Sequence, residues 1–83
     1  MVGGTIIKIA REPDNILLTV QGKGSEHNDV SCIRVVLTDL PLAVGDSIWW
    51  QDRKALWTPA DRSREDVPIE RIGFSFTPKE AQS

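Results

Sequence analysis

Gly45-Asp46-Ser47-Ile48-Trp49-Trp50-Gln51-Asp52-Arg53-Lys54-Ala55-Leu56-Trp57-Thr58-Pro59 carries all three tryptophans of the chain. An apolar run enters a polar tip, Gln51 to Lys54, and a second apolar run leaves it and stops at a proline. That is the pattern of a β-hairpin. If the loop has an even number of residues, Trp50 faces Ala55, Trp49 faces Leu56 and Ile48 faces Trp57. Cross-strand partners share a face and successive residues alternate. One face then carries Ile48, Trp50, Ala55 and Trp57 and is the natural core face. The other carries Ser47, Trp49, Gln51, Lys54, Leu56 and Thr58, polar except for the Trp49–Leu56 pair. An odd loop would break this register.

Outward from the hairpin, apolar runs of strand length alternate with polar turns. Thr5 to Ala10 reads as a first strand, preceded by Gly3 and Gly4, which leave the start loose or allow a bulge. Its core face is Ile7 and Ile9, opposite Lys8. Arg11 to Asn15 is a turn, and Ile16 to Gln21 a second strand with Ile16, Leu18 and Val20 inward. Gly22 to Asp29 is a polar loop. Val30 to Thr38 reads as the third and longest strand, with Arg34 outward and Ile33, Val35 and Leu37 inward. Leu40 to Asp46 leads into the hairpin; Pro41 holds Leu40 extended and Gly45 permits a tight turn. Asp61 to Asp66 is charged and suits a single helical turn capped by Ser63. Ile69 to Phe76 reads as a last strand with Ile72, Phe74 and Phe76 on one face, Ile72 and Phe74 belonging to the core. Pro78 ends it, before a flexible tail from about residue 77.

The expectation is one all-β domain over residues 1–83, a small barrel of five to six strands, OB-like, with an SH3-like barrel as the alternative. Ten Lys and Arg against twelve Asp and Glu give a net charge of −2, so no global field draws the chain to nucleic acid. Cys32 is the only cysteine, which rules out an internal disulfide and suits a reducing compartment. Within an apolar strand it reads as a small buried hydrophobe. No apolar stretch approaches the length of a membrane span, and the first residues lack the regions of a signal peptide. A cytoplasmic protein without membrane contact is expected.

Catalytic patterns are missing from the sequence. His27 with Glu26, Asp29 and Cys32 falls short of the four ligands that zinc favours. Ser25 or Ser31 near His27 supplies residue types without a nucleophile motif. Gly22-Lys23-Gly24-Ser25 lacks the spacing and the following helix of a phosphate loop. Asp61, Glu65, Asp66 and Glu70 alternate with Arg62, Arg64 and Arg71, which reads as a solvated face. No catalytic residue, metal or cofactor is expected.

The short β start, Val44-Gly45-Asp46-Ser47-Ile48-Trp49-Trp50 and the return Ala55-Leu56-Trp57-Thr58-Pro59 resemble small uncharacterised proteins carried by tailed phages and prophages of enteric bacteria. The resemblance is one of style and covers about three quarters of the chain. It implies a non-enzymatic accessory protein of the bacterial host cytoplasm and transfers no catalytic residue.

Two binding readings remain. Interface centres favour Trp and Arg, so Trp49, Leu56, Arg53 and Lys54 form a candidate protein-contact surface. The alternative is single-stranded nucleic acid, with bases stacked on Trp49 and Lys54, Arg53, Lys8 and Arg34 along the backbone. The third strand as an open edge would also permit a homodimer. Trp49 is expected to be the most exposed of the three tryptophans.

Overall fold

The computed structural model describes residues 2–22 and 29–76. It forms an all-β, closed, six-stranded antiparallel barrel, with no helix among the described residues. This is consistent with the small OB-like or SH3-like barrel expected. The strands are β1 (Val2–Arg11), β2 (Asn15–Gly22), β3 (Val30–Val36), β4 (Ser47–Gln51), β5 (Lys54–Thr58) and β6 (Val67–Phe76). Around the barrel they run β1-β2-β3-β6-β5-β4, and β4 closes back onto β1. Two three-stranded meanders, β1–β3 and β4–β6, are thus joined along a β1/β4 seam and a β3/β6 seam.

The hairpin register is the one that an even loop requires. Ile48 pairs with Trp57, Trp49 with Leu56, Trp50 with Ala55 and Gln51 with Lys54. Asp52 and Arg53 form the two-residue loop, and Asp52 has a φ of +56°. Such loops match the twist of the strands when their backbone enters positive φ, and Asp tolerates that region better than most residues.

The core is built from alternate residues of every strand. Ile6, Ile16, Leu18, Val20, Ile33, Val35, Ile48, Trp50, Ala55, Trp57 and Ile69 are buried together, with Leu42 from the crossover. Ile9 packs against this cluster, partly buried. Burial of such side chains contributes about 1.5–3 kcal/mol each. Cys32 is buried, its Sγ 3.7 Å from Thr19 Oγ1.

Four expected core residues lie outside. In β1 the register slips between Ile6 and Lys8, so Ile6 fills the core and Ile7 is 45% exposed. A bulge adds one residue and changes the phase of the alternation. Leu37 lies past the end of β3 and is exposed. In β6 the inward positions are Ile69 and Arg71, whereas Ile72 and Phe74 are exposed. The cause is in the β3/β6 ladder: Arg34 pairs with Ile72 and Cys32 with Phe76, so between these pairs one residue of β3 opposes three of β6. The surplus is taken up around Gly73, at φ +70°.

Three further expectations are corrected. Gly3 and Gly4 are strand residues, paired with Trp49 and Ile48 across the β1/β4 seam. A Cβ on Gly4 would lie 1.9 Å from the Gln21 carbonyl oxygen, so only glycine lets the chains approach this closely. β3 has seven residues against ten in β1 and β6, and it is paired on both sides, so it is no open edge. Residues 60–61 form a turn, closed by the Arg62 N–H on the Pro59 carbonyl, and 63–64 a bend, rather than a helical turn. Asp61 Oδ1 accepts from the Ser63 N–H at 2.9 Å, and this bond, with the Ser63 side chain, holds the Asp61 carboxyl below its usual range. The expected tail from about residue 77 lies outside the described residues, as do Lys23, Gly24, Ser25, Glu26 and His27.

Candidate functional site

Asp46 positions the tryptophan hairpin. Gly45, at φ +101°, forms the turn just before Asp46. Asp46 is 4% exposed. Its Oδ2 accepts from the Trp57 Nε1–H at 2.8 Å and the Ala43 N–H at 2.9 Å, and its Oδ1 from the Ala60 N–H at 2.9 Å. Three donors around one carboxylate satisfy a buried polar group fully. They tie the crossover, the core of β5 and the chain after Pro59 to one point. The Asp46 carbonyl also accepts from the Ile6 N–H at 2.8 Å, which anchors β1 beside β4.

On that frame, Trp50 and Trp57 are buried and Trp49 is half-buried on the outer face. Trp49 is the most exposed of the three, as parity requires. Leu56 lies beside it, also half-buried. The row extends further than the hairpin. Gly3 is in register with Trp49 on one side and Pro68 with Leu56 on the other. A Cβ on Gly3 would meet Trp49 Cε3 at 2.7 Å, so the indole rests on the bare backbone of β1. Gly3, Trp49, Leu56 and Pro68 therefore form an apolar band across four strands.

Arg53 and Lys54 are exposed at the hairpin tip. They line an open groove of about 680 Å³ with Gln51, Asp52, Leu56 and Pro68. The structure so brings Leu56, Arg53 and Lys54 to one groove, with Trp49 in register beside Leu56. A more polar groove of about 450 Å³ flanks Trp49 on its other side, with Ser47, Thr58, Arg62 and Asp66 in its walls. The Thr58 hydroxyl donates to Asp66 Oδ1 there.

Sequence reasoning missed Pro68 and Gly3 as parts of this face, because their places depend on pairing with strands distant in the chain. It also missed Arg71, 7% exposed, whose Nε donates to the Asp52 carbonyl and whose backbone N–H donates to the Arg53 carbonyl at 2.8 Å. β6 thereby holds the hairpin tip in place. Arg34 is half-buried on the outer face, its Nε 3.6 Å from Glu12 Oε1 and its Cζ 5.2 Å from the Phe76 ring centroid. Lys8, the other cation expected on the outer surface, is exposed on β1.

Among the described residues, no three His, Cys, Asp or Glu side chains are placed to hold a metal ion. No helix among them is long and apolar enough to cross a membrane. No protein-family model matches the chain, and neither a curated protein nor a solved structure matches it.

Proposed function

We propose that this chain is a non-enzymatic accessory protein, phage-derived and acting in the cytoplasm of a bacterial host, that binds a partner protein through the tryptophan hairpin. The observation that supports the reading is the apolar band Gly3–Trp49–Leu56–Pro68 beside an open groove with a cationic rim. A half-exposed indole keeps a free apolar face, and a Trp at the centre of a patch carries a large share of interface energy. Trp49 and Leu56 are held by strand pairing on both sides, so little ordering is needed on association. Arg53 and Lys54 at the rim favour a partner that offers an apolar side chain next to a carboxylate. The phage origin rests on the resemblance of Val44–Trp50 and Ala55–Pro59.

The test is capture from lysate of the native host with wild-type and Trp49→Ala protein side by side, after nuclease treatment. The reading expects a protein retained by wild type and released by the variant, with affinity weakened by about 2 kcal/mol or more. Equal retention by both would remove the hairpin face from consideration.

A further inference from the structure

We propose that the groove between the β4–β5 tip and the β6 bulge binds single-stranded nucleic acid, Arg71 and Arg53 each taking a backbone phosphate and Phe74 stacking on a base. This groove shares Asp52 and Arg53 with the groove beside Leu56 but does not include Trp49.

The first observation is Arg71. Its inward position beside Val35 buries it to 7% exposure. A guanidinium has five N–H donors, and of these only Nε has a protein partner among the described residues, the Asp52 carbonyl. Among the described residues no carboxylate pairs with Arg71, and the ion pair formed is Arg34–Glu12. Its terminal nitrogens are not among the buried unsatisfied atoms, so they open to the groove, where an anion can take their N–H groups. Arg71 lines a groove of about 350 Å³ together with Asp52, Arg53, Gly73 and Phe74. Two guanidiniums against one carboxylate leave that lining net positive.

The second observation is Phe74, 90% exposed at the lip of the same groove. The bulge around Gly73 lifts it clear of the sheet. Phe76, 41% exposed on the same strand under the Arg34 guanidinium, continues the aromatic surface. Exposed rings at Phe74 and Phe76, each beside a guanidinium, suit the bases and phosphates of a single strand, where stacking is tolerant of sequence and cations follow the backbone. A protein partner could offer a carboxylate to Arg71, but it would not call for exposed rings beside both guanidiniums. The two are separated by experiment.

The test is fluorescence anisotropy of a labelled oligothymidine of about 12 nucleotides with the full chain. Saturable binding is expected at about 25 mM salt, with a log–log salt slope near −1.4 for two neutralised phosphates. Phe74→Ala should weaken binding about tenfold, and Phe74→Tyr should restore it. Because the ring is exposed, neither change should move Tm. Arg53→Ala should flatten the slope by about 0.7. Trp49→Ala should bind the strand as wild type does, which keeps this result distinct from that of the hairpin face. No saturable signal up to about 100 µM protein would overturn the proposal. So would unchanged binding in Phe74→Ala, a duplex bound as tightly as the single strand, or full displacement by inorganic pyrophosphate or an acidic peptide at equal concentration.

Discussion

Asp46→Ala removes one side chain and releases three segments. The indole N–H of Trp57, on a residue with no exposed surface, loses its acceptor inside the core. An unsatisfied buried donor costs about 1–3 kcal/mol. The Ala43 and Ala60 N–H groups are part-buried and recover water more readily, so each adds about 0.5–1 kcal/mol. The total is about 2–5 kcal/mol, a large part of the roughly 4–12 kcal/mol expected of a domain this size. Asp46→Asn separates the terms. With its carbonyl in the Oδ2 position, the amide keeps the bonds from Trp57 and Ala43 and turns its NH2 towards the Ala60 donor. It should cost about 1–2 kcal/mol. Urea unfolding followed by far-ultraviolet circular dichroism measures both variants. A double-mutant cycle with Trp57→Phe should give a coupling of about 1–2 kcal/mol. If Asp46→Ala falls within about 0.5 kcal/mol of wild type, or Asp46→Asn costs as much as alanine, the carboxylate is not the tie described above.

The tryptophans should part company under mutation: Trp50→Ala costs about 3–5 kcal/mol through lost transfer energy and a cavity. Trp49→Ala, on the outer face, costs about 1 kcal/mol or less in the same melting experiment. Gly4→Ala drives a methyl group into the Gln21 backbone and should destabilise by about 2–3 kcal/mol, read from the urea midpoint. Asp52→Gly relieves a positive φ while leaving the carbonyl that accepts from Arg71, so Tm should rise, by an amount equivalent to about 0.5–1 kcal/mol; a lower Tm would show that the Asp side chain matters more than its backbone.

The hairpin faces were legible because strand alternation and a two-residue loop are local matters. Once Gln51 pairs with Lys54, every other position of β4 and β5 follows. β1 and β6 were misread for a shared reason. The bulge at Ile7 and the excursion at Gly73 shift the phase without altering composition, so apolar residues at the expected spacing end outside. Arg71 was assigned to a solvated face because a charge in a strand ordinarily faces water. Its burial depends on Asp52 and Arg53, which the chain supplies from another hairpin. The same distance hid Asp46: Gly45-Asp46 reads as a turn, whereas its partners Trp57 and Ala60 come later in the chain. For the candidate contact face, Trp49 and Leu56 could be found from the hairpin alone, and Gly3 and Pro68 needed the sheet.

The two seams of the barrel set its folding kinetics. Each meander forms from neighbours in sequence, but closure joins residues as far apart as Gly4 and Ile48, or Val35 and Arg71. Long loops must be ordered before those contacts give any return, which places such a barrel among the slower folders, on a scale of about milliseconds to seconds. Until the seams shut, each half exposes the apolar inner side of a three-stranded sheet and two unpaired edges. That half-closed species is where exchange of meanders between two chains competes with closure within one, and the competition grows with protein concentration.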